Sequence, residues 1–405
     1  MKTNAPRLAR FALPALLLTS TLLYAGPLNP PAGPITSTGK TTQEVFDKVA
    51  ETEPRIAINT TNTPGDADSL FKITQPGSYY LTANITGVVG KYGIEIAASG
   101  VTLDLNGFDL VGVPSMGAFD GVGVTVNSLT SIVVRNGSVR DWGDEGVDLG
   151  SFAALNSTVE DVRASGNTGN GISVGTASVV SGCSASSNGI NGIDTAFGCV
   201  VTECTTFSNG NDGIFAHSSS TVSQSVSYLN TGIGIATGAS CTISGCSTTD
   251  NNAGIQTSSG CVVSQSSAGY NATRGVTTGS GCHVVDCIVT NNILDGIQVL
   301  NDCTVRGNTC DSNGSGAGSG AGILVSGGDN VIEGNTCTDA DRGIDVDAGG
   351  NLIIKNRCSG NTTNWDFVIG NAYGPIVATP SGAAVSGNTA AAVLGSTDPN
   401  ANFTY

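Results

Sequence analysis

Short apolar runs recur along the chain from about residue 70, and each is bounded by Gly, Asn or Ser. Within them a Gly is followed by Ile or Val, and this pair returns every 20 to 26 residues, most often after 21. A fixed period of this length is typical of solenoid proteins, in which each repeat is one structural unit. The glycines of this column are Gly146, Gly171, Gly192, Gly213, Gly234, Gly254, Gly275, Gly296, Gly322 and Gly343.

Three further columns of residues share this period. The first is apolar and comprises Val180, Val201, Val222, Ile243, Val263, Val284, Val305, Ile332 and Ile353. The second follows three residues later and comprises Cys183, Cys204, Ser225, Cys246, Ser266, Cys287, Asn308, Asn335 and Asn356. The third comprises Asn188, Asn209, Asn230, Asn251, Asn271, Asn292, Asn313 and Asn361, with Ala340 as the exception.

The columns predict an all-β fold, a single-stranded right-handed parallel β-helix (a solenoid) with a short N-terminal capping helix. Inward positions lie two apart within a strand, and each change of phase marks a corner, so one coil has three short strands. Equivalent strands of successive coils pair in parallel, about 4.8 Å apart. We count about 11 to 13 coils. A leucine-rich repeat has a similar period, but its Leu-x-x-Leu-x-Leu core is absent.

Stacking places equivalent side chains above one another, which leads to specific expectations for each column. Asn is expected to adopt left-handed backbone at a corner and to hydrogen-bond up the stack. The column Gly is expected to supply similar backbone freedom at another corner. Arg274 and Asp295 each precede a column Gly in successive coils, which predicts an exposed ion pair between them.

The ends of the chain differ from the repeats. Residues 1–25 resemble a cleaved secretory signal, with a basic start and a 14-residue apolar stretch that is short for a membrane span. Residues 26–55 are predicted to be a leader followed by the capping helix, at 42–52, with Thr42 as its N-cap. We assign residues 56–395 to the β-helix and 396–405 to a C-terminal tail.

Acidic residues dominate the charge. The chain has 16 Lys and Arg against 32 Asp and Glu. Because residues 1–25 hold three of the basic residues and none of the acidic ones, the chain without them has a net charge of −19. No Lys or Arg occurs between Arg163 and Arg274. We therefore expect no nucleic-acid partner, no membrane span after signal removal, and repulsion of anionic polysaccharides unless a cation bridges the two.

Several segments resemble the repeats of the pectate-lyase-like β-helix superfamily, particularly of its uncharacterised secreted members. They include Val-Ile-Glu-Gly-Asn-Thr-Cys at 331–337, Arg-Gly-Ile-Asp-Val at 342–346, and Val-Thr-Leu-Asp-Leu-Asn-Gly-Phe at 101–108. The resemblance spans roughly residues 70–390 and implies the fold, which hosts lyases, hydrolases, adhesins and non-enzymes. The Asn-Thr-Asp, Gly-His-Gly and Arg-Ile-Lys segments of polygalacturonase-like members are absent.

The 12 cysteines lie within the repeat columns, between residues 183 and 358. Disulfides are the usual expectation for an exported protein. Stacked residues are about 4.8 Å apart, whereas disulfide-bonded Cβ atoms are about 3.8 Å apart. We therefore predict mostly free thiols. The Cys-x4-Cys pairs depart from the spacing of structural zinc sites, so we expect neither a metal nor another cofactor.

Acidic residues cluster around one tryptophan, and together they are the candidates for substrate binding: Trp142, Asp144, Glu145, Asp148 and Asp194. Asp148 and Asp194 are predicted to share an outward column two coils apart, about 9.6 Å, at the upper edge of the range for an inverting glycosidase pair. The alternative interpretation is a solvated acidic face. No catalytic motif is found, and His217 and His283 are expected at the surface.

Three functions remain open at this point. The first is an exported, non-catalytic solenoid that binds a carbohydrate or cell-surface component, whether extracellular, periplasmic or on the cell surface. The second is a polysaccharide lyase or glycoside hydrolase that acts through the acidic patch. The third is a structural protein of the envelope. If the protein is non-catalytic, replacement of Asp148 or Asp194 by Asn is expected to leave its role largely intact.

Overall fold

The computed structural model describes residues 53–150, 154–315, 320–378 and 397–405, together with Thr41, Thr42, Glu44 and Lys48. Thr42, Glu44 and Lys48 are helical. The N-cap is Thr41 rather than Thr42, because Thr41 Oγ1 accepts from the backbone N–H of Glu44 at 3.1 Å and Glu44 Oε2 accepts from that of Thr41 at 2.7 Å. The rest of the predicted helix and the signal lie outside the described residues, so the capping role remains a prediction. No described helix is long and apolar enough to cross a membrane.

From Pro54 onwards the chain forms parallel sheets that run through successive coils. One sheet, here called the site sheet, has 14 strands and takes one strand from each coil. Its strands are Ser69–Ile73, Tyr92–Ile96, Val122–Val124, Val147–Asp148, Ile172–Val174, Ile193–Thr195, Ile214–Ala216, Ile233–Thr237, Ala253–Thr257, Val276–Thr278, Ile297–Val299, Ala321–Val325, Arg342–Val346 and Thr363–Phe367.

A second sheet has 28 strands, because most coils contribute two strands joined at a bend. A two-stranded sheet, Leu129–Thr130 and Ala154–Leu155, completes the described strands. The strands of the second sheet are Ile56–Ala57, Gly77–Tyr80, Ile85–Thr86, Val101–Asp104, Asp109–Val111, Val133–Arg140, Thr158–Ser165, Val179–Ser181, Ser184–Ser186, Val200–Thr202, Thr205–Phe207, Thr221–Ser223, Val226–Tyr228, Thr242–Ser244, Ser247–Thr249, Val262–Ser264, Ser267–Gly269, His283–Val285, Ile288–Thr290, Thr304–Arg306, Thr309–Asp311, Val331–Glu333, Thr336–Thr338, Leu352–Ile354, Arg357–Ser359, Ala372–Tyr373, Ile376–Ala378 and Asn402–Thr404.

The predicted stacking is confirmed, but the predicted number of coils was too low. The apolar column is in register, for example Val180 with Val201 and Val201 with Val222, and its members are fully buried. One site-sheet strand per coil gives at least 14 coils rather than 11 to 13. The repeat columns defined from the sequence begin at Gly146, so the first coils, with strands such as Tyr92–Ile96, lie outside them.

The C-terminal boundary also differs from the prediction. Residues assigned to a tail contribute the strand Asn402–Thr404, which pairs in parallel with Arg357–Ser359 and with Ile376–Ala378. Asn402 Oδ1 accepts from the backbone N–H of Asn356 at 2.9 Å, so this strand continues an Asn ladder of the β-helix. The end of the chain is therefore part of the solenoid.

The expected hydrogen bonds of the Asn column up the stack are confirmed, but the expected left-handed backbone at Asn and at the column Gly is wrong. Asn188 donates to Asn209 Oδ1 through both its backbone N–H and Nδ2, at 3.1 and 3.0 Å, and the step repeats up the stack. The left-handed backbone belongs to the preceding residue, such as Ser187 with φ of 54°. The column Gly supplies space, because a Cβ on Gly192 would lie 2.7 Å from Asn209 Nδ2 and from Gly213 O.

All twelve cysteines are buried free thiols, as predicted. Within one column, the backbone N–H of Cys261 donates to Cys282 Sγ at 3.3 Å, and the Cys282 thiol donates to Ser258 O at 3.2 Å. The thiols thus satisfy backbone groups along the stack. Each also fills the core as a small apolar side chain.

Candidate functional site

The site sheet presents a continuous polar surface over its N-terminal half. Its outward column runs from Glu95 through Gly123, Asp148, Ser173 and Asp194 to Phe215, each residue in register with the next. A second row, here called the edge ladder, precedes the column Gly in each coil. It comprises Asp120, Glu145, Asn170, Asn191 and Asp212.

Hydrogen bonds between successive coils fix the edge ladder. Asp120 Oδ1 accepts from the backbone N–H of Glu145 at 3.0 Å, and Glu145 Oε1 accepts from Asn170 Nδ2 at 3.1 Å. Asn170 Oδ1 then accepts from the N–H of Asn191 at 3.0 Å, and Asn191 Oδ1 from that of Asp212 at 3.1 Å. The side chains are therefore held in place before any ligand arrives.

Four of the five predicted site residues face this surface. Asp144 and Glu145 lie close to Asp120, with one carboxylate oxygen of each within 4.8 Å of the others. Asp148 and Asp194 occupy the outward column two coils apart, as predicted. We define the acidic face as these four carboxylates together with the other acidic members of the edge ladder. Its residues are Asp120, Asp144, Glu145, Asp148, Asp194 and Asp212.

Trp142, the fifth predicted site residue, is not at the surface. Its side chain is only 1% exposed, and Nε1 donates to Leu110 O at 3.2 Å. It packs against Met116 and Gly93 in the core instead. Trp142 is among the residues that line a cleft of about 480 Å³, and Asp141 is the one carboxylate among the described residues that line it. The tryptophan therefore supports the fold and offers no face to a ligand.

Burial raises the pKa values of five members of the acidic face, which are Asp120, Glu145, Asp148, Asp194 and Asp212. The pKa of Asp120, which is 6% exposed, rises to about 8, first through burial and then through Asp148, Glu145 and Asp144. The pKa of Glu145 rises to about 7 through burial and its neighbour Asp144. Our expectation of a fully solvated face was wrong on this point, because carboxylates lose hydration between adjacent rungs.

The same effect reaches the outward column. Burial raises the pKa of Asp148 and of Asp194, although the charge of His217 opposes it at Asp194. None of the ion pairs formed within the described residues involves a member of the acidic face. Apart from His217 near Asp194, the face therefore has no basic neighbour in an ion pair among the described residues, and groups with perturbed pKa values cluster at functional sites.

The sequence reasoning missed several residues of this surface. Asp120 precedes Gly121 as Glu145 precedes Gly146, so extending the Gly column by one coil would have found it. An aromatic cluster adjoins Asp194: the His217 ring lies 5.2 Å from that of Phe197 and 4.9 Å from that of Phe215. Phe215 directly follows Asp194 in the outward column, so the predicted register itself places it there. His283 is exposed, as expected.

The stacked parallel sheets define the chain as a right-handed parallel β-helix protein. The family described as "Right handed beta helix region" matches residues 193–318. No curated protein matches the sequence.

Among solved structures, the tailspike mutant D339N of E. coli bacteriophage HK620, in complex with a pentasaccharide, is 14% identical with a TM-score of 0.50; the match covers 80% of this chain and 69% of that one. The mannuronan C-5 epimerase AlgE4 A-module of Azotobacter vinelandii is 16% identical with a TM-score of 0.48, over 73% of this chain and 90% of that one. At such identity the likeness concerns the fold.

Proposed function

We propose that the acidic face and the adjoining aromatic cluster bind a polysaccharide without cleaving it. The observation that carries the proposal is the regular array of carboxylate, amide and hydroxyl groups, one rung per coil, about 4.8 Å apart. Sugar hydroxyls donate to such acceptors, and an extended chain laid along the stack meets a similar set at each rung. The hydrogen bonds of the edge ladder provide preorganisation, which lowers the entropic cost of binding.

The aromatic cluster supports a sugar ring rather than an ion as the ligand. Phe197 is 46% exposed, and Phe215 and His217 are half-buried beside it. Their rings offer an apolar surface next to the Asp194 carboxylate, which suits a pyranose with one apolar face and hydroxyls at its rim. The absence of basic residues from residue 164 to 273 favours a neutral or amino-bearing glycan over an anionic one.

The location of the protein belongs to the same proposal. Residues 1–25 have the composition of a secretory signal, and export would bring the acidic face into contact with extracellular or envelope glycans. A tailspike of similar fold is described with a bound pentasaccharide. The fold alone specifies no ligand, so the proposal rests on the side chains of the acidic face.

A glycan array with the purified protein tests the binding function. We expect hits among neutral or amino-bearing glycans. For any hit, Asp194→Ala and Phe215→Ala should weaken binding about tenfold, as for residues at a binding hot spot. Thr277→Ala, in the same outward column three coils beyond Phe215, is the matched control and should bind as the wild type. An array without hits would overturn the proposal and leave the structural envelope role.

Glycoside hydrolysis is the second candidate, and the raised pKa values favour it. A general acid must be protonated near the working pH, as Asp120 and Glu145 are when their pKa values are about 8 and 7. Asp148 and Asp194 are separated by Ser173, at about 9.6 Å from rung to rung. Our expectation that Asp148→Asn and Asp194→Asn preserve function assumed little burial, and that premise was wrong.

Release of reducing ends from any array hit separates the two candidates. The non-catalytic proposal expects no release, with or without calcium. Cleavage by the wild type that disappears in Asp148→Asn or Asp194→Asn would establish the hydrolase instead. The same assay on Asp120→Asn would then show whether the acid is at the edge ladder or in the outward column.

A further inference from the structure

A second group of carboxylates lies in the first coils, and its member Glu95 is two rungs before Asp148 in the outward column. Asp66 and Asp68 belong to the turn before the strand Ser69–Ile73, and Glu95 lies on the adjacent strand Tyr92–Ile96. One carboxylate oxygen of each residue lies within 4.8 Å of one from each of the other two. The turn is fixed to the next coil because the backbone N–H of Tyr92 donates to Asp68 O at 2.7 Å.

Glu95 provides an independent sign that a partner is missing. The residue is 2% exposed, and its Oε2 is buried without any hydrogen-bond partner. Oε1 is fully engaged, because it accepts from Thr125 Oγ1 and from Lys72 Nζ, the latter at 2.8 Å. A buried carboxylate oxygen with no donor is costly, and in native proteins such an atom usually has a water or an ion beside it.

The nearby lysines leave this oxygen uncovered. Lys72 Nζ bridges Asp66 Oδ2, at 2.7 Å, and Glu95 Oε1. Lys91 Nζ donates to the backbone carbonyls of Asp66 and Ser69 rather than to a carboxylate. Three carboxylates therefore share one directly bonded ammonium group, and the exposed carboxylate of Asp68 lies in none of the ion pairs of the described chain.

We propose that Glu95 Oε2, Asp68 and Asp66 bind a divalent cation, Ca²⁺, at the N-terminal end of the solenoid. Carboxylate oxygens are the ligands that hard cations prefer, and Ca²⁺ tolerates irregular sets completed by water. The ion would supply the counter-charge that Lys72 alone does not. It would also join the 64–69 turn to the second coil and so stabilise the end of the core, which a solenoid must protect.

This site was not predicted, because our expectation of no metal was based on the spacing of the cysteines. The ligands are separated by 27 positions along the chain, between Asp68 and Glu95, and meet only because their strands stack. The proposal does not depend on glycan binding, since Asp66 and Asp68 lie in the turn before the first site-sheet strand and none of the three residues was assigned to the acidic face.

Calorimetric titration of the EDTA-treated protein with CaCl₂ tests the proposal. We expect one Ca²⁺ per chain and a melting temperature that rises on Ca²⁺ addition. Asp68→Asn and Glu95→Gln should each lower the affinity at least about tenfold. Asp68→Asn is the decisive variant, because its exposed side chain can change to an amide without disturbing the core.

Asp144→Asn is the matched control, because it alters the other carboxylate group and should leave Ca²⁺ affinity unchanged. Loss of binding in this variant but not in Asp68→Asn would place the cation on the acidic face and overturn the proposal. No binding at millimolar Ca²⁺, or unchanged affinity in both Asp68→Asn and Glu95→Gln, would show that Glu95 Oε2 is met by water only.

Discussion

Two stretches of the site sheet place carboxylates at equivalent positions, but only one of them places arginines beside those carboxylates. In the acidic half, between Asp120 and Asp212, the members of the acidic face form no ion pair within the described residues, and burial raises the pKa values of Asp120 and Asp212. In the paired half, from Arg274 to Asp366, arginines enter the same rows. Arg274 Nε lies 2.9 Å from Asp295 Oδ2, and Arg342 lies 3.0 Å from Asp345 Oδ2.

The paired half shows what the fold needs for its own stability. Asp345 is only 3% exposed and burial raises its pKa to about 6, yet the charge of Arg342 opposes that rise. The acidic half has no comparable opposition except from His217 at Asp194. Since the β-helix can place an arginine in these rows, the unpaired carboxylates are not required by the fold. This contrast is the reason to assign the acidic half to a ligand.

The largest expected effect is at Asp120. The raised folded-state pKa, about 8 against 3.8, means that the folded protein is destabilised as pH rises from about 4 through 8. Asp120→Asn removes this penalty and keeps the acceptor for the Glu145 N–H. We expect the variant to be more stable than the wild type by about 2–5 kcal/mol at pH 9 and nearly equal at pH 4.

Urea unfolding at both pH values measures this difference. Asp302→Asn is the matched control, because Asp302 is exposed and Asn tolerates its left-handed backbone. This variant should not shift the urea midpoint at either pH. Equal stability of Asp120→Asn and wild type at pH 9 would remove the electrostatic contrast between the halves.

The paired half should respond in the opposite direction. Arg274→Met leaves the carboxylate of Asp295, 5% exposed, without its cation, although Ala321 N still donates to it at 3.0 Å. The sequence predicted this pair correctly but placed it at the surface, where it would contribute under about 1 kcal/mol. With the aspartate buried, we expect a loss of about 2–3 kcal/mol at pH 7.

A double variant isolates the cause of that loss. Arg274→Met combined with Asp295→Asn has no buried charge and keeps an acceptor for Ala321, so it should recover most of the lost stability in urea unfolding. If the double variant is as unstable as the single one, packing of the arginine stem rather than charge explains the pair.

The repeat made the solenoid, its register and the outward column predictable from the sequence. Asp148, Asp194 and the Arg274–Asp295 pair lie where the period of 21 places them, because a ladder fixes every equivalent side chain. Burial was not predictable, because it depends on the loops between repeats. Met116, in a loop outside the period, packs near Gly143 and helps to cover the core around Trp142. Glu95 was missed because it meets Asp66 and Asp68 only through the stacking of two strands, which the spacing of the cysteines does not reveal.

A smaller effect is expected when the acidic half is converted into a paired one. Ser173→Lys would place an ammonium group between Asp148 and Asp194. It should lower both pKa values and raise stability by up to about 1 kcal/mol at pH 7, since the long stem can reach solvent. Thr277→Lys, in the same column but away from the carboxylates, is the control and should give no gain in stability.

Urea unfolding measures the stability of both variants, and binding of any array hit measures their function. A stability gain with unchanged glycan binding would show that these carboxylates do not contact the ligand.

The smallest effect is expected at an exposed ion pair of the C-terminal coils. Lys355 Nζ lies 2.7 Å from Glu333 Oε1, but both side chains are solvent-accessible, at 45% and 27%. Water screens such a pair, and holding two long side chains in one geometry costs conformational entropy. Lys355→Met should therefore change stability by less than about 0.5 kcal/mol at pH 7. Glu333→Gln should behave alike, and the two together should be additive. A loss above about 1.5 kcal/mol would be comparable with that of Arg274→Met, and would mean that exposed ion pairs stabilise this half as well as the buried Asp295 does. The contrast with the acidic half could then no longer be assigned to burial.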